Sequence, residues 1–323
     1  MTKLRWGVLG AANIARKAVI PAIQASSNGT VAAIASREQS RAQQAADAAN
    51  IPEVYADYTA LLSSPTVDAV YIPLPNSEHY PWTIAALEAG KHVLCEKPLA
   101  LDAQQASEMV AAADKAGLLL AEAFMYRHHP IVGKVLELLH AGAIGDLRLV
   151  RASFSFKLGE GENIRLNKEL GGGALMDVGC YGISLARLVT GAEPIELGAV
   201  AEYGATGVDE SFAGVLRFPN GVLSQFDVSI HASGGQNYEL IGASGKIVVR
   251  QGFRIPNDEE GEIQLHQGGD ISRIFTDAVD EFQLMVEDFG KAVLGQRPLA
   301  YPAHDAVANM QVIDGLRAAA RRQ

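Results

Sequence analysis

The chain has 323 residues, with 27 Lys and Arg against 37 Asp and Glu, for a formal net charge of −10. That length exceeds the usual single hydrophobic core, so two domains are expected, and the acidic balance excludes the basic face that non-specific nucleic-acid binding needs. Core material is ample at 48% hydrophobic residues, yet no uninterrupted apolar stretch reaches the roughly 18 residues of a membrane span, so no membrane is expected either.

Met1 to Arg5 runs straight into the first strand, which leaves no room for a secretory or transit signal and makes the cytoplasm the default location. The two cysteines, Cys95 and Cys180, suit packing roles in a reduced compartment, and no Cys/His spacing matches a zinc site, so no metal is expected.

Residues 4–10, 30–35, 68–72, 91–95 and 117–122 read as short buried strands, each bounded by Gly, Pro, Asp or Asn. Between them, 14–27, 38–49, 78–89 and 102–116 are alanine-rich with helical apolar spacing. This alternation predicts a parallel, doubly wound sheet of the Rossmann kind. Beyond residue 145 the pattern changes to alternating segments at 147–156, 195–203, 209–218, 221–230, 237–243 and 245–251, which predict an antiparallel sheet. Pro219-Asn220-Gly221 and Gly242-Ala-Ser-Gly245 mark its hairpins, and helical spacing returns at 276–294 and 303–322. The fold class is thus α/β: a dinucleotide-binding domain over 1–123, then an α+β domain over 124–323 for substrate binding and oligomerisation. Its last helix has the option of packing back on the first domain.

Four places carry chemistry. The first strand opens into Gly10-Ala11-Ala12-Asn13-Ile14-Ala15, a variant of G-x-G-x-x-G with alanine at the second and third glycine positions. Gly10, Ala12, Asn13 and Ile14 are the expected pyrophosphate cradle. The second strand ends in Ser36-Arg37, where an NAD-selective site would place an acid for the ribose 2′-hydroxyl. A guanidinium beside a hydroxyl suits a 2′-phosphate, so NADP(H) is favoured over NAD; the alternative for Arg37 is a solvated helix-start residue. Pro75 and Asn76 follow the strand 69–72 at the same carboxyl edge and are expected cofactor contacts, whereas His79 serves equally well as a contact or as a packed helix residue.

The third strand-end motif is Glu96-Lys97-Pro98, which follows Lys91-His-Val-Leu-Cys95. A lysine at the carboxyl end of a strand stands where open α/β sheets bind ligands, and Pro98 disfavours the α region for Lys97, which orients the side chain at low entropic cost. The last place is Gly171-Gly-Gly-Ala-Leu-Met-Asp177-Val-Gly-Cys-Tyr181, a glycine-rich approach to a helix. Asp177 and Tyr181, four apart, share a helix face and can converge on one substrate oxygen; the alternative is a capping Asp177 and a packing Tyr181.

With Glu122-Ala-Phe-Met-Tyr-Arg127-His-His-Pro130 added, these motifs resemble, in order and over nearly the whole chain, the glucose-fructose oxidoreductase/inositol dehydrogenase/rhizopine catabolism protein family, or GFO/IDH/MocA. Tyr181, where inositol dehydrogenase has histidine, resembles the branch of glucose-fructose oxidoreductase, NADP-dependent xylose dehydrogenases and dimeric dihydrodiol dehydrogenases. The resemblance implies that Lys97 and Tyr181 are the catalytic pair, that Asp177 helps bind substrate, that Glu96 and Arg127 lie near the cofactor, and that the Lys97–Pro98 bond is cis.

The expected activity is hydride transfer between NADP(H) and a sugar, polyol or cyclic diol, or the matching carbonyl compound. Tyr181 exchanges the oxygen's proton and the Lys97 ammonium lowers the phenol's pKa, although the two roles could be reversed. A non-catalytic NADP sensor and an NAD-assisted lyase or glycosidase are the alternatives; neither explains Lys97, Asp177, Tyr181 and Ser36-Arg37 together as simply. Apolar residues at Val215, Phe218, Val222, Phe226 and Val228 on both faces of the second sheet predict a homodimer or higher oligomer.

Overall fold

In the computed structural model, which describes residues 3–321, the apolar runs of the first domain become the strands of one parallel sheet. These are β1 (Leu4–Leu9), β2 (Gly29–Ala35), β3 (Glu53–Tyr55), β4 (Ala69–Ile72), β5 (His92–Cys95) and β6 (Leu120–Glu122). Their order is β3-β2-β1-β4-β5-β6, so the winding direction reverses between β1 and β4 and the strand ends there open toward a ligand crevice. The alternation did not reveal β3, because three half-buried residues are too few to show a period.

Helices α1 (Ile20–Ala25), α2 (Gln39–Ala49), α3 (Tyr58–Leu62), α4 (Asn76–Glu88) and α5 (Ala103–Ala116) connect the strands. Ala42, Ala45 and Ala46 give α2 a small buried face that lies close on the sheet. Asp57 and Asp102 cap α3 and α5, their carboxylates accepting the Ala60 and Gln105 N–H groups at 2.8 Å.

The second sheet has eight strands: β7 (Leu147–Ser155), β8 (Glu196–Tyr203), β9 (Asp209–Arg217), β10 (Leu223–Ser229), β11 (Gln236–Gly242), β12 (Gly245–Val249), β13 (Gly261–Gln267) and β14 (Asp270–Thr276). Neighbours run antiparallel except β7 and β10, which are parallel. Strand β14 ends at Thr276, the first residue of the helix expected over 276–294, and that helix begins instead at Glu281. At the expected β9–β10 turn, Gly221 takes a φ of +81° while Asn220 does not turn left-handed, and Phe218 N–H reaches the Val222 carbonyl at 2.9 Å. The turn is therefore a three-residue loop closed by a left-handed glycine.

One face of this sheet carries α6 (Pro130–His140) and α7 (Cys180–Thr190) over a core of Val150, Phe212, Phe226, Val228, Tyr238 and Ile263. The other face exposes Val200, Val215, Leu223, Ile271 and Phe275 by 43–59%. Of the five apolar residues expected to divide between the faces, Val215 alone points outward; Phe218, Val222, Phe226 and Val228 are buried. Strict alternation runs through the turn: Phe218 continues the inward series of Phe212 and Leu216, and Val222 begins that of Phe226 and Val228, whereas Val215 stands at an odd, outward position.

Two helices close the chain, α8 (Glu281–Val293) and α9 (His304–Ala320). One compact unit comprises residues up to Met125 together with Asp280–Val307, and the other Tyr126–Val279 together with residues from Ala308 onward. The helix that returns to the first unit is therefore α8, whereas most of α9 belongs with the second. Cys95 and Cys180 are both free and buried, and no helix of the described residues is long and apolar enough to cross a membrane.

The docking of α8 rests on Phe289, whose ring centroid lies 5.2 Å from that of Trp6, with both side chains 1% exposed. Asn28 adds a hydrogen bond from Nδ2 to the Glu287 carbonyl at 2.8 Å. Phe289→Ala should destabilise the first unit by about 3–5 kcal/mol, since a buried ring is lost and a cavity remains. Both tryptophans, Trp6 and Trp82, lie in this unit, so a urea titration followed by their fluorescence reads it directly. A loss below about 1 kcal/mol would show that α8 contributes little to its core.

Candidate active site

In the first unit, β1 ends at Leu9 and Gly10 turns the chain with a φ of +121°. A side chain there would meet Leu74 at 2.9 Å and approach the Tyr58 hydroxyl to 3.8 Å, so the turn is a cradle that only glycine leaves open. Ala11, Ala12, Asn13 and Ile14 lead into a π-helical turn, Ala15–Val19, that continues as α1. Such turns inside helices gather at functional sites. Asn13 Oδ1 accepts from Arg16 at 2.6 Å, which fixes the exposed edge of the loop. A tight glycine step at a strand end, followed by a helix start whose amides have no partner within the helix, fits a dinucleotide pyrophosphate.

At the end of β2, Ser36 is buried and Arg37 exposed, with no acid at either position. Burial holds the Tyr58 phenol above its ordinary value, against the pull of the Arg37 backbone N–H and of the Arg37 and Arg41 charges. The charges of Arg37 and Arg41, opposed by Glu78, thus act on a tyrosine beside the Gly10 turn. Tyr58 and Arg41 were not found from the sequence; the usable signal for Arg41 is its position one helical turn after Arg37.

Lys97 follows β5 in a loop anchored on three sides. Tyr71 donates its hydroxyl to Glu96 Oε1 at 2.7 Å, and Leu99 N–H reaches Glu122 Oε1 at 2.8 Å. The third anchor is His79, whose ring nitrogens face the Pro98 and Leu74 carbonyls, each at 2.9 Å. The Lys97–Pro98 bond is cis. Burial, reinforced by the nearby Lys97 charge, pushes the fully buried His79 below its ordinary pKa. His79, expected among the cofactor contacts, has both nitrogens turned to backbone and therefore braces the lysine loop instead. Glu96, expected in the same set, accepts from Tyr71 and from Lys97 N–H at 3.3 Å, so its carboxylate also holds the loop. Pro75 precedes α4 and Asn76 begins it, at the carboxyl edge where they were expected.

In the second unit the three glycines fold back on residues 163–167. Gly173 N–H bonds to the Arg165 carbonyl and Gly172 N–H to the Asn167 carbonyl, both at 2.9 Å. The chain then enters a π-helical turn, Leu175–Gly179, which carries Asp177, and passes into α7, whose first turn carries Tyr181. Asp177 does not cap this helix: its carboxylate pairs with Arg165 Nε, and the Arg165 guanidinium lies 5.6 Å from the Phe156 ring centre. The cap comes from Asp209 at the start of β9, which accepts Leu175 N–H at 2.6 Å.

Tyr181 is 3% exposed, in a cage of Phe154, Phe253 and Tyr126 rings whose centroids lie 5.3–5.6 Å away. One turn on, Ser184 Oγ accepts from Arg127 Nε and Nη2 at 3.0 and 2.7 Å and shares a 2.6 Å bond with the Tyr126 hydroxyl. Arg127, expected near the cofactor, is thus buried against the helix that carries Tyr181. Arg165, Ser184 and Asp209 were missed in the sequence, because each is recognised only by its partner.

Comparison with known proteins gives the same picture. Residues 4–124 match the oxidoreductase family with an NAD-binding Rossmann fold, and residues 132–248 match the GFO/IDH/MocA C-terminal domain. The chain is 37% identical over 315 residues to D-xylose 1-dehydrogenase (NADP(+)) 2 of Haloferax volcanii, covering 97% of this chain and 96% of that one. It is 35% identical over 250 residues to trans-1,2-dihydrobenzene-1,2-diol dehydrogenase of Mus musculus, covering 77% and 75%. The crystal structure of KijD10, a 3-ketoreductase from Actinomadura kijaniata in complex with NADP and TDP-benzene, superposes with a TM-score of 0.94 at 34% identity, covering 98% of each chain. The chain therefore belongs to the GFO/IDH/MocA family of oxidoreductases.

Proposed function

We propose that this protein is an NADP(H)-dependent dehydrogenase or reductase of a sugar, polyol or cyclic diol, in which Lys97 and Tyr181 handle the proton of the reacting oxygen. The observation that carries the reading is the seat of Lys97, a lysine anchored on three sides at the carboxyl end of β5 in a dinucleotide-binding sheet. Relatives named as an NADP-linked D-xylose dehydrogenase and a dihydrobenzenediol dehydrogenase support the substrate class. NADP, when bound, supplies the hydride donor or acceptor at the nicotinamide ring. The chain's own residues do the rest. Gly10 to Ile14 receive the pyrophosphate, and Ser36 and Arg37, with Arg41 beside them, receive the 2′-phosphate.

In the oxidation direction the substrate hydroxyl gives its proton to Tyr181 in its phenolate form, which the Lys97 ammonium favours; the substrate carbon's hydride would go to bound NADP+, and the same ammonium stabilises the negative charge that develops on oxygen. Asp177, held by Arg165, accepts a hydrogen bond from a neighbouring substrate hydroxyl. The aromatic cage around Tyr181 limits water at the phenol and fixes its ring. We place the enzyme in the cytoplasm as a homodimer joined through the open face of the eight-stranded sheet. A groove of about 460 Å³ lined by Leu149, Arg151, Val215 and Leu223, together with the exposed apolar residues beside it, supports that assembly.

Arg37→Asp should weaken NADP(H) binding far more than NAD(H) binding, since attraction to the 2′-phosphate becomes repulsion. Fluorescence titrations with both cofactors check this, and an unchanged preference would reject the assignment. Lys97→Met and Tyr181→Phe should each lower kcat by about 10²–10⁴ while cofactor binding and fold persist. The double variant should lose much less than the product of the two effects, because the pair acts on one proton. An aldose and dihydrodiol panel with NADP+, followed by absorbance, supplies the substrate; near-normal turnover in both single variants would overturn the pair. Val215→Glu, on the open face, should shift sedimentation from dimer to monomer, and a monomeric unmodified protein at micromolar concentration would dismiss the assembly.

A further inference from the structure

We infer that Asp209 is the positioning residue for the helix that carries Asp177 and Tyr181, and that it acts in its ionised form, so that turnover depends on one carboxylate outside the reacting set. The inference rests on the proposed roles of Asp177 and Tyr181. Amides at a helix start have no partner within the helix, and here Asp209 supplies one from a different element. Its Oδ2 accepts Leu175 N–H at 2.6 Å, and the Ala174 N–H also favours the ionised carboxylate. A side chain on Gly173 would stand 2.2 Å from Asp209 Oδ1, and Gly173 has a φ of +118°. The third glycine of Gly171-Gly-Gly is therefore what lets the carboxylate reach the helix start. Two residues beyond Leu175 comes Asp177, and the same π-helical turn delivers Tyr181.

Burial raises the Asp209 carboxyl to about 6, against the pull of the Leu175, Asp209 and Ala174 amides and of the Arg317 charge on α9. Arg317 is the charged group that faces it from α9. The adjacent Glu210 is engaged with His231 at 3.3 Å, and Asp177 is held by Arg165. The sign follows from the raised value. The folded state holds this proton more tightly than the unfolded chain, so the Asp209 contribution to stability falls as pH rises from the ordinary 3.8 to about 6 and stays low above it. The anion at neutral pH is thus maintained against stability, which a purely structural cap would not require.

Asparagine at 209 keeps the shape but offers one acceptor oxygen and sets an N–H₂ group against an N–H. Asp209→Asn should therefore be at least as stable as the unmodified protein at pH 8 while kcat falls roughly tenfold through misplacement of the helix. The test measures kcat from pH 5 to 9 and the thermal midpoint at pH 8 for both proteins, with the Leu175 amide followed by NMR on ¹⁵N-labelled protein. The unmodified enzyme should lose activity below a midpoint of about 6, the Leu175 amide should titrate at that same pH, and both transitions should vanish in Asp209→Asn.

Gly173→Ala, which crowds the carboxylate without removing it, should reproduce the loss of kcat. An acid limb retained in Asp209→Asn, a thermal midpoint that falls in step with kcat, failure of Asp209→Asn to fold, or a Leu175 amide that does not titrate would each overturn the inference. No turnover of any sugar or diol by the unmodified protein would instead count against the catalytic reading, and the Leu175 titration would then decide the seat of Asp209 alone.

Discussion

An ammonium group at the end of β5 has to be held in place against its own flexibility. A lysine stem carries about 2 kcal/mol of rotamer entropy, and a loop at a strand end adds backbone freedom to it. The three anchors act on the backbone and side chains on either side of Lys97: Glu96 through Tyr71, Pro98 through His79, and Leu99 through Glu122. Each is worth only about 1 kcal/mol net, yet together they tie the loop to β4, α4 and β6. The loop is thereby fixed to the sheet rather than to its own flexible chain, as a positioned acid/base or electrostatic group requires.

The second unit applies the same physics to a helix. A glycine-rich turn enters a π-helical turn and then an α-helix, as it does after β1, and in both cases the wider turn stands beside residues of the candidate site. What differs is the source of the restraint. After β1 the Gly10 amide is held by Ala35 on the neighbouring strand at 2.8 Å. Before α7 the helix start is held by a carboxylate, and its side chains by Arg165 and by the Ser184 bond to Arg127. Charged side chains there do what backbone does after β1, as Glu96 and Glu122 do for the lysine loop.

This difference explains what was legible in the chain. Fully buried strands such as Ala69–Ile72 and the alanine-faced helices announce themselves by apolar runs and spacing, and the strand-end motifs follow from where open sheets bind ligands. Local pattern does not reveal partners remote in sequence: Asp209 lies 34 residues from Leu175, and Ser184 lies 57 from Arg127. The identities of His79 and Arg127 were legible but their directions were not, because a histidine before a buried turn can offer its nitrogens to backbone as readily as to a ligand. β3 and α3 escaped for a simpler reason: three and five residues hold too little of any period. The sheet faces were legible in the alternation itself, since Phe218, Val222, Phe226 and Val228 share one parity and one buried face and Val215 has the other.

The charge distribution adds a last constraint. A chain with a net charge of −10 repels a phosphorylated cofactor at range, but at physiological salt that repulsion is screened beyond about 8 Å. Attraction must therefore arise within the last few ångströms, from groups that already stand in the site. Arg37 and Arg41 follow the end of β2, with Glu38 4.0 Å from Arg41, and the exposed Arg16 and Lys17 follow the glycine turn. A planar guanidinium matched to a phosphate holds it better at contact range than a mobile ammonium, so the proposed Arg37 contact would act on how long the cofactor stays more than on how fast it arrives.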